Sequence, residues 1–242
     1  MADFNWDVAA EAIGPLIAGV GITIALTLGV IVVSLILGLP VAMMRISRFR
    51  AIRIIAGAYI DFIRSTPLLL QLIYIYFALP FIGIHLDPFS AGFIGLTLHY
   101  TAYISEVYRA GIEAVPKGQA QAAAALGMSG FQISVVVVLP QAVRIVIPAL
   151  GNYLVALFKD TSLVSVLSVQ ELLFAGQLVA ARTYDYFTVY TMVFLIYLVI
   201  GLPSLWFVRY LERRSKAGYS DKKTQAKPGD EDARSEIEGV SA

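Results

Sequence analysis

Residues 113–140 read EAVPKGQAQAAAALGMSGFQISVVVVLP, and their pattern decides how the rest of the chain is read. Pro116 and Gly118 punctuate the start. Residues 119–126 then carry five alanines, two glutamines and no charge, a composition of strong helix formers. Gly127 stands where a helix terminator is expected, Ser129-Gly130 predicts a turn, and an apolar run climbs to Leu139-Pro140. A short helix of small residues has no large apolar face with which to build a core. It suits close backbone approach to another surface.

Working outward, the composition sets the class. Of 242 residues, 58% are hydrophobic and 14% charged, with a mean hydropathy of +0.76. Soluble domains carry about a quarter charged residues, so the chain reads as an all-α integral membrane protein. There is no cysteine, hence no thiol or disulfide chemistry. Two histidines, His85 and His99, are too few for a His-based metal site, and no metal is expected. A net charge of +1 argues against nucleic acid as a partner. The acidic start MADFNWDVAAEAIG lacks the positive region of a cleavable signal peptide.

Uncharged runs cover residues 12–44, 65–86, 88–105, 145–158 and 186–208. A helical crossing needs about 20 apolar residues, so the runs predict five transmembrane helices, the fourth the least defined. Residues 131–158 also read as one span interrupted by Arg144. With the N-terminus outside and the C-terminus inside, sixteen Lys and Arg fall on inner segments and only Lys159 and Arg182 on outer ones. That asymmetry follows the positive-inside rule. The expected division is an outer N-terminal segment at 1–15, a membrane domain at 16–211 with an inner loop at 113–140, and a tail at 212–242. The tail is polar, charged with both signs and nearly free of aromatics, and is expected to be disordered.

Two stretches carry polar candidates. Residues 62–71, FIRSTPLLLQ, place Arg64, Thr66 and Gln71 around the start of the second span; an arginine held at the inner interface accounts for Arg64 as well. Residues 140–172 interrupt a short apolar segment with Pro148 and Gly151, then supply Asn152, Lys159, Asp160, Thr161, Ser162 and Glu171 near membrane depth. A broken helix there is tolerated where it lines a cavity or packs on protein, and ionisable groups at that depth are costly unless used. Lys159 and Asp160 also fit plain markers of the outer interface. Tyr184, Tyr186, Phe187, Tyr190 and Trp206 suit interfacial belts.

The order Gln121-Ala122-Ala123, Gly127, then Val137, Leu139 and Pro140 resembles the "EAA" loop of ABC importer permeases, with Gln121 where that family usually has Glu. FIRSTPLLLQ and the pattern from Asn152 through KDTSL to Glu171-Leu172 resemble the polar amino acid branch, of the histidine, glutamine and arginine permease type. The resemblance covers roughly residues 21–214. It implies a type I importer (MetI-like) fold in the bacterial inner membrane. It also implies a second permease subunit, identical or paralogous, a dimer of ABC ATPase subunits below and a solute-binding protein above. By that resemblance Gln121, Ala122, Ala123, Gly127, Met128, Leu139 and Pro140 contact the ATPase. Arg64, Thr66, Gln71, Asn152, Lys159, Asp160, Thr161, Ser162 and Glu171 are then candidates for the substrate pathway.

No G-x-x-x-x-G-K-[ST] occurs in the chain. ATP and Mg are therefore expected on the partner ATPase, with no cofactor on this chain and no enzymatic activity of its own. The expected cargo is a polar amino acid or similar zwitterion, with a compatible solute such as ectoine or hydroxyectoine as the alternative. An autonomous secondary transporter is the competing class; such proteins often carry internal repeats, and no two-half repeat is evident here.

Overall fold

A computed structural model describes residues 3–217 of the chain, and every regular element among them is helical. The first, α1 (Trp6–Arg45), begins where Asn5 accepts from the backbone N–H of Asp7 at 3.0 Å and of Val8 at 3.3 Å. That satisfies donors which no earlier turn can reach. Its 40 residues form a rod of about 60 Å, which exceeds a hydrocarbon core of about 30 Å.

The chain then turns into α2 (Arg50–Ser65), and a 106° bend separates α2 from the segment 68–82. Proline explains the break. Thr66 precedes Pro67 and is extended (φ −118°, ψ 142°), because the proline ring disfavours helical geometry in the residue before it. Beyond Pro67 come α3 (Leu68–Ile73), a wide π-type turn (Tyr74–Ala78) and a tight 3₁₀ turn (Leu79–Ile82), which Gly83 ends at φ 86°.

Helix α4 (Pro88–Glu113) is the centre of the bundle. Asp87 caps it through Ser90 N–H, and Pro88 sits at its first position, where the missing donor costs nothing. It packs on α1 and on α7 (Leu139–Asp160), and its Leu96, Tyr100 and Ile104 join Leu26, Val30, Leu72, Leu157, Val164 and Leu167 in the main core. Gly38 of α1 makes room for it, since a β-carbon there would lie 2.8 Å from Ile104. At about 39 Å, α4 is long enough to cross a bilayer. Its Thr97, Thr101 and Ser105 are buried, so protein rather than lipid surrounds that part of its surface.

After α4 come the short α5 (Lys117–Ala125) and α6 (Gly130–Gln132), and then a second π-type turn (Ile133–Val138) that runs directly into α7. Residues 130–160 thus form one helical run, through Arg144 and without a break at 145. The broken helix expected at Pro148 and Gly151 is not found: α7 passes through both, and the break falls later, at the 3₁₀ turn Thr161–Leu167. Gly151 instead receives Val208, whose methyl carbons would lie 3.0 Å from an added β-carbon. Both π-type turns directly precede a Leu-Pro pair, Leu79-Pro80 and Leu139-Pro140. Proline lacks an N–H and crowds the carbonyl four residues back, and a widened turn relieves that crowding.

The chain then re-enters the bundle as α8 (Leu172–Thr183) and leaves as α9 (Tyr186–Ala217). Leu16, Leu172, Val179, Val189 and Val193 form a second core that joins α1, α8 and α9. Among the described residues three stretches, Trp6–Arg45, Gly130–Leu167 and Tyr186–Leu211, are long and apolar enough to cross a membrane, and the bent pair of α2 with 68–82 adds a fourth where the two halves count as one span. Helix α9 continues past the boundary at 212. The rest of the expected tail, 218–242, lies outside the described residues.

Candidate functional site: an exposed connector and a polar seam

Two features carry the functional candidates. The first is the connector at residues 113–140. Helix α5 spans Lys117–Ala125, and Gly127 follows it with φ 79°. This left-handed residue lets Gly127 N–H reach Ala124 O (3.0 Å) and Met128 N–H reach Ala123 O (3.2 Å), closing the helix end. Ser129 and Gln132 then cap the next helix reciprocally, Gln132 N–H to Ser129 Oγ and Ser129 N–H to Gln132 Oε1. The expected turn at Ser129-Gly130 is therefore a helix start.

Of the connector candidates, Ala123 is buried and Met128 half-buried, whereas Gln121, Ala122, Gly127, Leu139 and Pro140 are exposed. Two further residues are not among the candidates read from the sequence. Leu126 is 84% exposed and Phe131 78%, large apolar side chains on a loop with no core beneath them. Their legible signal was apolar bulk at both ends of a glycine-rich turn. Exposed apolar side chains on such a connector suit a protein partner.

The second feature is a polar seam along one side of α4. Gln71 ties the elbow between α2 and α3: its Nε2 donates to Ile63 O (2.8 Å), Thr66 O (3.0 Å) and Thr66 Oγ1 (2.8 Å). Its Oε1 faces His99 Nδ1 at 3.0 Å. An amide oxygen only accepts, so the proton of that bond belongs to His99. The His99 ring lies 4.8 Å from that of Tyr103, and Tyr103 lies 5.8 Å from Tyr153 of α7. Tyr100 donates to Asp160 Oδ2 at 2.7 Å. Arg64 stands over the Tyr103 ring at 5.5 Å, within cation–π range.

One end of the seam closes on Glu106. Arg109 Nη2 approaches it to 2.7 Å, and Arg45 and Arg64 each stand 3.8 Å away. Arg109 also reaches Glu113 at 2.7 Å. The hydrogen bond from Arg109, with the positive charge of the other two arginines, holds the Glu106 carboxyl below its usual range. The ends of α1, α2 and α4 thus meet on one side of the bundle, the side from which the connector departs.

The seam therefore unites Arg64, Thr66, Gln71 and Asp160 of the pathway candidates. The others are placed differently. Thr161 Oγ1 bonds to Phe158 O and Ser162 Oγ to Lys159 O, closing the end of α7, while the Lys159 side chain is exposed. Asn152 is exposed on α7 and donates to Pro148 O at 3.2 Å. Glu171 is fully buried elsewhere, where it accepts from Tyr197 (2.9 Å) and from Phe174 N–H (2.7 Å) beside Thr23. It brackets α1, α8 and α9 rather than lining the seam. His99, Tyr103, Glu106 and Tyr153 are not among the candidates read from the sequence. Their signal was the spacing of positions 99, 103 and 106, which share a face of α4.

Among the described residues no cluster of His, Cys, Asp or Glu has the makings of a metal site. A family profile described as "Binding-protein-dependent transport system inner membrane component" matches residues 34–217. A probable glutamine ABC transporter permease protein, GlnM of Bacillus subtilis, is 42% identical over 186 residues, 77% of this chain and 86% of that protein. The L-cystine transport system permease protein TcyB of the same organism is 40% identical over 181 residues, covering 74% and 77%. A crystal structure of an amino acid ABC transporter superposes with a TM-score of 0.84 at 34% identity, over 88% of this chain and 99% of the other. The MetNI methionine ABC transporter, at 22% identity and a TM-score of 0.65, shares the fold.

Proposed function

Because the chain belongs to the family of binding-protein-dependent transport system inner membrane components, we propose that it forms the transmembrane path through which an ATP-driven importer admits a polar amino acid. The observation that carries this reading is the seam. It offers a zwitterion a guanidinium at Arg64 and a carboxylate at Asp160, joined through the rings of Tyr103, Tyr153 and Tyr100. Permeases named for glutamine and cystine among its relatives favour an amino acid over a compatible solute.

In this reading the membrane is the bacterial inner membrane, crossed five times with the N-terminus outside. The bias of basic residues supports that orientation, as does the meeting of Arg45, Arg64 and Arg109 at one end. The connector, which leaves from that end, docks on an ATPase dimer through Leu126, Phe131 and the backbone around Ala122, Ala123 and Gly127. With Gln121 in place of a carboxylate, close approach and apolar contact supply the docking. Two permeases side by side rock as the ATPases close, and a solute-binding protein delivers the amino acid from outside. Such coupling requires two discrete arrangements of the pair.

The test is reconstitution of the permease with its ATPase and binding protein in vesicles. Stimulation of ATP hydrolysis by the amino-acid-loaded binding protein is expected. Hydrolysis indifferent to the loaded binding protein would refute the proposal.

A further inference from the structure

Helices α1 and α8 run antiparallel, with Glu11 beside Arg182 at one end and Gly19 against the backbone of Glu171 and Leu172 at the other. Between them lies a groove of about 340 Å³. One wall is Pro15, Ala18, Gly19 and Ile22; the other is Ala175, Leu178, Val179 and Arg182, and Gln170 completes the lining ahead of α8. Each wall follows the spacing i, i+3, i+4, i+7 that puts residues on one helix face. Small residues make the floor, so the groove is a consequence of the sequence rather than of a gap in packing.

Charge marks one end of this apolar channel. Arg182 Nη2 donates to Glu11 Oε1, and the two side chains remain 62% and 51% exposed. They sit where α1 begins, α8 ends and α9 begins, since Asn5 N–H bonds to Thr188 Oγ1 at 3.0 Å. That end is opposite the arginine cluster on Glu106 along α1, and in the orientation proposed above it lies at the outer membrane surface.

A lipid chain gains little by leaving its neighbours for such a groove, because the surrounding tails are as apolar as leucine. The headgroup must provide the selection. Arg182 has five N–H donors in a fork that fits a phosphate, and it gives one to Glu11. Glu11 has further lone pairs, which suit an ammonium N–H. We propose that the groove between α1 and α8 binds a phospholipid whose headgroup carries both a phosphate and a primary ammonium, the phosphate on Arg182 and the ammonium on Glu11.

The experiment is native mass spectrometry of the whole detergent-solubilised transporter, incubated separately with phosphatidylethanolamine, phosphatidylglycerol and phosphatidylcholine. Phosphatidylethanolamine should be retained about tenfold better than phosphatidylcholine, a preference of one decade in affinity. Glu11→Gln should erase that preference while leaving the phosphate contact. Arg182→Gln should lower retention of all three lipids, with Arg182→Lys restoring part of it. Leu178→Trp, which fills the groove and removes neither charge, should empty it. Equal retention of the three lipids by the unaltered protein would overturn the proposal. So would retention unchanged in Arg182→Gln and Leu178→Trp, or an Ala18→Cys to Leu178→Cys cross-link between the two permease subunits of one transporter.

Discussion

His99, in the middle of α4, donates a 3.0 Å hydrogen bond to Gln71, the residue that ties the elbow between α2 and α3. One side chain thereby fixes the bend and holds an end of the polar seam. Gln71→Leu removes the acceptors' partner at Ile63 and Thr66 and leaves His99 without its own. Each hydrogen bond lost at such a site costs about 1 kcal/mol. Transport by Gln71→Leu should fall at least several-fold in vesicle uptake, and Gln71→Glu, which keeps an oxygen for His99, should retain more.

Gly127 tests the connector without disturbing the bundle. Its φ of 79° costs any other residue about 1–2 kcal/mol locally, yet nothing lies within 4 Å of an added β-carbon. Gly127→Phe should therefore leave the protein folded and in the membrane while uptake falls by an order of magnitude or more. Full uptake by the variant would show that this surface carries no partner. Leu126→Ser and Phe131→Ser should weaken co-purification of the ATPase in the same way.

Glu106 should make stability depend on pH. Its carboxyl is held below the usual range, so the contribution is present above the ordinary glutamate range and is lost as pH falls through the lowered folded value. Glu106→Gln leaves Arg45, Arg64 and Arg109 facing one another and should destabilise by roughly 1.5–3 kcal/mol near neutrality. Thermal scans of the two proteins should differ at pH 7 and converge only as the pH falls below the ordinary glutamate range.

Glu171 should behave as a structural bracket. Glu171→Ala leaves Tyr197 and the N-terminus of α8 without an acceptor, a cost of roughly 1–3 kcal/mol for each buried group so orphaned. Melting temperature should fall. In whatever fraction folds, the ranking of competing amino acids in uptake assays should be unchanged, because Glu171 is not part of the seam.

The uncharged runs of α1 and α9 were legible because lipid surrounds them and their composition must match it. The connector was legible for the opposite reason, as small residues and glycine turns are conspicuous between such runs. The polar seam was legible only in part: 88–105 reads as a span and positions 99, 103 and 106 share a helix face, but Gln71, Arg64 and Tyr153, which meet them, stand far away in sequence. Pro148 misled because proline reads as a breaker, whereas a membrane helix with packed neighbours tolerates it. The two Leu-Pro pairs, by contrast, do mark local widening, in the turns ahead of Pro80 and Pro140. The place of Glu171 between α1, α8 and α9 was not legible, because the re-entry of α8 is a tertiary event.

The most direct measurement is uptake of labelled glutamine into vesicles that contain the permease, its ATPase and its binding protein. The account predicts accumulation that requires ATP and the binding protein, and that is cut by an order of magnitude or more in Gly127→Phe. Accumulation that followed an imposed ion gradient and ignored ATP would contradict it.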